Sequence, residues 1–307
     1  MVFIKKRKIT MKNLIQQIDY KICSFWKSRI HAHKQNKLRK NILTYYRLHP
    51  TTNEEINLAI NYLSSHSLTS FFGAFQEQYR AEEVRVHYDP SNGLPYVMIN
   101  DKRLYFKRSY NKHTVQLVFN GLRIEQDQNS PHCYTDKNFN VEKGDILADI
   151  GCAEGFFSLL NIEKVEKVYL FEQDCCWIEA LKATFAPWKE KIILIPQFVS
   201  DKTTDSEIRL DDYFHGKKDK PTFYKIDVEG AETAVLNGMK SILKQPLLKI
   251  ALCTYHHAED FEKFCRLLKE NDFAYQPTNG VMIYQNEIDN IQPPYFRKGL
   301  IKAWKEK

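Results

Sequence analysis

The chain has 307 residues, 43% hydrophobic and 13% aromatic, which is enough to bury a large core and too apolar for a disordered chain. Its charge of +7 is uneven: residues 1–50 hold thirteen Lys/Arg against Asp19 alone, while the remainder holds 32 basic and 37 acidic residues, so the main body offers no basic face and a nucleic-acid partner is not expected. Seven cysteines, an odd number with no CxxC pair and no Cys/His zinc spacing, fit small core residues in a reducing compartment better than a disulfide framework.

Lys5-Lys6-Arg7-Lys8 is not followed by the apolar run of about 7–15 residues that a secretory leader needs. Nowhere do ~18 consecutive apolar residues mark a membrane span, and a cytoplasmic protein is expected. Met11, Leu14, Ile15, Ile18, Ile22, Phe25 and Trp26 fall on one stripe and predict a helix over 9–31. This basic stretch, residues 1–50, reads either as a helix docked on the body or as a peripheral contact with the inner face of an anionic membrane. Lys34–Lys40 reads as a charged link. Thr51 and Thr52 followed by Glu54 and Glu55 read as a capping box for a helix over about 53–64, with another over 67–82. Short strands at 85–88, 96–99 and 104–107, with turns at Pro90–Gly93 and Asn100-Asp101, make a meander that covers the cleft. Residues 51–140 are thus expected as a small α+β subdomain.

From about 145 the pattern alternates. Strands read at 146–150, 167–171, 192–195, 222–226 and 248–254, and helices at 155–162, 175–187, 230–242 and 258–271. Such alternation implies an α/β fold with a mostly parallel sheet covered on both faces. Phe273–Gln276 and Val281–Gln285 read as a closing antiparallel hairpin. Residues 141–290 form the expected cofactor-binding domain, and 291–307 a C-terminal tail.

In a parallel sheet, ligands bind at the carboxyl ends of the strands. Asp149-Ile150-Gly151-Cys152-Ala153-Glu154-Gly155 ends the first of these strands. Gly151 lets the chain turn sharply, and Gly155 starts the next helix close to a ligand. The segment lacks the third glycine of the dinucleotide fingerprint, which a pyrophosphate needs more than S-adenosyl-L-methionine (SAM) does. Glu172 ends the second strand, where a carboxylate can accept from both hydroxyls of a ribose. Phe198 and Val199, after the third strand, can pack on an adenine ring.

With these segments stands Phe223-Tyr224-Lys225-Ile226-Asp227-Val228-Glu229-Gly230-Ala231-Glu232. Asp149–Gly155, Leu170-Phe171-Glu172, Leu210-Asp211-Asp212-Tyr213 and Lys225–Glu232 together resemble the FkbM-type family of SAM-dependent methyltransferases. The resemblance covers about 145–285. It implies a class I methyltransferase (Rossmann-like) fold, a seven-stranded sheet with an antiparallel last strand, and usually O-methylation of hydroxyls on sugars or natural products, often in polysaccharide or secondary-metabolite pathways. The Cys152-Ala153 turn departs from the family's smaller residues.

Moving a methyl group to a hydroxyl needs alignment and a way to remove the proton. Asp227 is expected to line the cleft. His256, at the end of the fifth strand, is the expected base, with SAM bound by Asp149, Gly151, Ala153, Gly155, Glu172, Phe198 and Val199. Glu229 and Glu232 also suit a helix N-terminus. Three such acids could hold a divalent cation, but no histidine stands beside them in sequence and no metal is expected. Ser130–Tyr134 could lie over the cofactor, with His132 or Tyr134 reaching in. The acceptor is expected to be a glycan or small hydroxylated metabolite. The competing readings are a nucleotide-cofactor oxidoreductase and a non-catalytic, membrane-recruited binding module.

Overall fold

Helix α1 runs from Met11 to Leu48 in the computed structural model, which describes residues 11–305, with side chains from 29 onward except at 287. The basic leader and the Met11–Trp26 stripe lie outside the described side chains. The expected charged link at Lys34–Lys40 is instead part of α1. Lys, Gln, Leu and Arg are good helix formers, and Leu38, Ile42 and Tyr46 bury one stripe while the charges face outward. Helix α2 (Glu54–Ser65) is capped by Asn53, whose Oδ1 accepts from Ile56 N (3.1 Å), rather than by Thr51 or Thr52. Arg39 of α1 donates to the last carbonyls of α2, Leu63 O (2.7 Å) and Ser64 O (2.8 Å). Tyr46 Oη donates to Pro294 O (2.5 Å) and Lys34 pairs with Asp289 (2.6 Å). Of the described residues, those up to 70 with 285–295 form one compact unit, and 71–284 with 296–305 form the other.

In the second unit the expected helix over 67–82 is absent. Ala74–Gln78 and Ala81–Glu83 are short 3-10 turns, the first entered through Gly73 at φ 148°. The meander is present as β1 (His87–Tyr88), β2 (Pro95–Ile99) and β3 (Lys102–Tyr105), in the order β1-β2-β3. Helix α3 (Lys112–Glu125) is an addition to the expected elements; it is capped by Asn111 and buries Val115 and Phe119.

The main sheet then forms from β4 (Ile146–Ile150), β5 (Lys167–Phe171), β6 (Ile192–Ile195), β9 (Phe223–Ile226), β10 (Lys249–Cys253), β11 (Ala274–Pro277) and β12 (Leu300–Trp304). Between β6 and β9 lie the short parallel pair β7 (Phe198–Ser200) and β8 (Glu207–Arg209). The helices are α4 (Phe156–Asn161), α5 (Cys175–Thr184), α6 (Leu210–Tyr213), α7 (Glu232–Asn237) and α8 (Asp260–Glu270). The strand order is β11-β12-β10-β9-β4-β5-β6, with only β12 antiparallel to its neighbours. This is the seven-stranded class I methyltransferase sheet with its reversed last strand.

The reversed strand is not the expected one. β11 pairs with Leu300–Trp304, from the expected tail, and not with Val281–Gln285. In that segment Met282 makes only isolated bridges, to Phe71 and Arg297. Leu300–Ala303 is buried on both faces, as a strand between two neighbours must be. Two apolar clusters cover the sheet, one containing Phe156, Leu159 and Leu181 and the other Leu236, Met239 and Phe264.

Candidate functional site

β4 and β9 are parallel neighbours, so the turns after Ile150 and Ile226 lie side by side. Gly151 has φ 72°, and a Cβ there would stand 2.0 Å from the carbonyl oxygen of Asp227. Only glycine lets these two turns close on one another. Gly155 has a different reason to be glycine. It caps α4 at φ 79°, and a Cβ would stand 2.8 Å from both Leu181 and Phe185 of the α5 region, so packing rather than a ligand demands it.

β5, on the other side of β4, brings Glu172 to the Gly151 turn. Ala153 N donates to Glu172 Oε2 (3.0 Å) and Asp174 N to Oε1 (2.8 Å). Each oxygen keeps a second acceptor position, and the carboxylate lines the cavity. Asp149 is buried beneath the turn. Its Oδ2 accepts from Ser158 Oγ (2.6 Å), and Lys225 Nζ lies 3.1 Å from Oδ1 while donating to Gly151 O (2.6 Å). Burial works against the Lys225 charge, but Asp149 and Asp227 outweigh it and push its pKa up.

A cavity of about 430 Å³ opens over these strand ends. Its walls include Asp149, Gly151, Ala153, Glu172, Phe198, Val199 and Asp227; Gly155 does not reach it. Phe198 is partly exposed and Val199 buried.

Asp227 carries a network that crosses the fold. Tyr134 Oη donates to its Oδ2 (2.7 Å) and Tyr255 Oη to its Oδ1 (3.1 Å). His132 Nε2 lies 3.6 Å from Oδ2. Burial alone would raise the Asp227 pKa, yet Lys225, His132, His256 and the Tyr134 bond hold it at about 2. His132 is itself buried, and mainly for that reason falls to about 4, so it is neutral near pH 7. The Ser130–Tyr134 segment therefore does contribute wall residues, His132 and Tyr134.

His256 is not in the wall. Tyr255 is, and the His256 ring packs behind it, centroids 4.0 Å apart, with Nε2 3.8 Å from Asp227 Oδ1. His256 is 1% exposed, with Nδ1 2.9 Å from Glu232 Oε1. Burial disfavours its charge, but Glu232, Asp227 and Glu229 prevail and raise its pKa. Glu232 Oε1 also accepts from Val228 N (2.9 Å).

Two wall residues escape the strand-end pattern altogether. Glu125, at the end of α3, is raised to about 8, by burial first and then by Asp227 and Glu154. Glu154 is raised to about 7, again chiefly by burial. Glu154 could have been found as an acid inside a glycine turn; no sequence signal marked Glu125. With Asp149, Glu172, Asp174, Asp227 and Glu229 the wall holds seven carboxyls against one lysine, Lys225.

Residues 101–275, more than half of the chain, match the family described as the methyltransferase FkbM domain. Among solved structures, the methyltransferase FkbM from Methylobacillus flagellatus KT is 17% identical, with a TM-score of 0.45 over 62% of this chain and 51% of that one. This chain thus spans about half the length of that protein. The M. jannaschii tRNA m1G37 methyltransferase is 17% identical, with a TM-score of 0.41 over 70% of this chain and 57% of that one. SMU.1697c from Streptococcus mutans, in complex with SAH, is 16% identical, with a TM-score of 0.37 over 54% of this chain and 91% of that one. No curated protein matches the sequence. No described helix is long and apolar enough to cross a membrane. The glycine turn locked against Asp227, Glu172 beside it and the reversed β12 stand within or next to a family match covering most of the sheet, and the chain belongs to the FkbM methyltransferase-domain family.

Proposed function

We propose that the cavity binds SAM and that the chain transfers its methyl group to a hydroxyl of a carbohydrate or related metabolite. The observation that carries the reading is the acidity of the wall: seven carboxyls around one lysine, acidic even with Glu125 and Glu154, raised to about 8 and about 7, left out of the count. A pyrophosphate would face repulsion there, and the one lysine is already paired with Asp149. A ligand with a sulfonium and an ammonium suits the same wall, which also weighs against the oxidoreductase reading.

Glu172, fixed by two backbone amides, accepts from the ribose hydroxyls. Phe198 and Val199 flank the base, and Glu154 faces the cationic end. When bound, SAM would supply an activated methyl group. The acceptor oxygen bonds to the methyl carbon in line as the carbon–sulfur bond breaks with its electron pair left on sulfur, and the hydroxyl proton passes to solvent. Asp227, ionised and oriented by two tyrosine hydroxyls, accepts a hydrogen bond from the acceptor hydroxyl and aligns it. Tyr134, Tyr255 and His132 give that half of the wall the polar lining a hydroxylated acceptor needs.

Calorimetry with SAM and with SAH tests the reading. Both are expected to bind the wild-type chain, and Glu172→Ala weakens them by roughly 10–100-fold, the loss of about 1.5–3 kcal/mol of charge-assisted hydrogen bonding. Folded protein that binds neither ligand would sink the proposal.

A further inference from the structure

The end of α3 faces the cavity, where Leu122, Glu125 and Gln126 all line the wall. It is pinned there by the segment that carries His132 and Tyr134. Gln126 Nε2 donates to His132 O (3.3 Å), Tyr134 N to Gln126 Oε1 (3.2 Å) and the Cys133 thiol to Gln126 O (3.4 Å). Glu125 therefore shares its stretch of wall with the two rings that meet Asp227. The other wall carboxyls are held. Asp149 accepts from Ser158, Glu172 from two backbone amides and Asp174 from Lys107 Nζ (2.6 Å) and Cys176 N (2.8 Å). Asp227 accepts from two tyrosines, Glu229 from Tyr284 Oη (2.9 Å) and Glu154 from backbone amides of its own turn. Glu125 alone has no hydrogen bond or ion pair among the described residues.

We propose that Glu125 is the general base of the reaction, taking the proton of the acceptor hydroxyl that Asp227 aligns. The proposal rests on the methyl-transfer reading. As the acceptor oxygen bonds to the methyl carbon and the carbon–sulfur pair stays on sulfur, the O–H proton goes to a carboxylate oxygen of Glu125 and from there to solvent.

The groups around Glu125 do not suit this task. Asp227, at about 2, and His132, at about 4, bind a proton too weakly. Tyr134 and Tyr255 keep their protons, since burial and then Asp227 drive their pKa values up and Glu125 itself adds to the rise. Lys225 is held as a cation. His256, the expected base, lies behind the Tyr255 ring with Nδ1 against Glu232. Glu154 responds to Lys225 and Asp149, the charges under the Gly151 turn, and so belongs to the cofactor half. Glu125 responds first to Asp227 and then to Glu154, Lys225 and Glu229, and stands at about 8, where a base both accepts a proton and is ionised often enough to do so.

The test uses the full chain with tritiated-methyl SAM at saturation, and monosaccharides, their methyl glycosides and glycerol as acceptor probes. Wild-type kcat is expected to rise with pH and level off, with a midpoint at or below about 8 because bound SAM favours the carboxylate. Glu125→Gln should lower kcat at pH 8.5 by roughly 100-fold and flatten the rise. Its SAM affinity at pH 7, where the native side chain is still mostly protonated, should stay within about threefold. Glu125→Asp, which keeps a carboxyl one methylene back, should recover part of the rate and the pH-dependent rise; it also serves if the glutamine variant fails to fold. Glu154→Gln should keep the rise. A Glu125→Gln variant with wild-type kcat and pH profile overturns the proposal, as does loss of the rise in Glu154→Gln alone. SAM bound by the wild type with transfer to none of the probes sinks the hydroxyl reading and the base with it, while absence of SAM binding sinks the cofactor reading.

Discussion

The two halves of the cavity are built on different principles. The half under Gly151 is made of backbone: amides of Ala153 and Asp174 hold Glu172, and the turn itself closes on the Asp227 carbonyl. The half above Asp227 is made of side chains from distant segments, with Tyr134 and Tyr255 reaching one carboxylate from 93 and 28 residues away. The backbone half hangs on Gly151 and on the one side chain its amides hold, Glu172, and tolerates change elsewhere. A side-chain site can change its ligand by substitution without changing the fold.

Gly151→Ala breaks the comparison most severely. A methyl 2.0 Å from a carbonyl oxygen at φ 72° must push β4 and β9 apart, at a cost of ~3 kcal/mol. Urea unfolding is expected to show that loss, with both SAM binding and activity gone. Unchanged stability would mean that the turns are not locked together.

Tyr134→Phe sharpens it. Removing one hydroxyl from Asp227 should lower kcat/KM about tenfold while SAM affinity stays within about twofold, because the bond it loses, worth roughly 1.5 kcal/mol, belongs to the acceptor half. An equal loss in SAM affinity would merge the halves into one.

The smallest effect is one of pH. Glu154 and Glu125 have pKa values raised to about 7 and about 8 in the folded chain. Being raised, each favours the folded state below its unfolded pKa, and that contribution is lost as pH rises through the folded value. A cationic ligand reverses the cost by pairing with the ionised forms. SAM should therefore bind more tightly as pH rises from about 6 to 8.5, and SAH, lacking the sulfonium, should gain less. Calorimetry of both ligands across that range checks the sign.

This asymmetry also explains what the sequence disclosed. That Asp149, Gly151, Ala153, Glu172 and Asp227 line one cavity is legible from strand ends that carry acids, with Phe198 and Val199 placed there only by following the third strand. Gly155 was legible as a turn but not as a packing glycine, since Leu181 and Phe185 lie a helix away. His256 reads correctly to the end of β10, but its burial behind the Tyr255 ring rather than in the wall is a packing outcome that no local spacing encodes. Glu125 sits on a helix with no motif. The charge run at Lys34–Lys40 suggested a break where helix propensity prevailed, and Val281–Gln285 looked more strand-like than its place in the chain allows.

The position of β12 has a consequence for how the chain is made. Leu300–Trp304 lies between β10 and β11, two strands formed from residues at least 23 positions earlier. While synthesis has not yet reached residue 300, β10 presents an open edge and β11 has nothing to pair with. Such edges recruit strands from other chains. A polypeptide interrupted before residue 300 should carry the glycine turn and Asp227 but remain sticky, held by chaperones until the missing strand arrives.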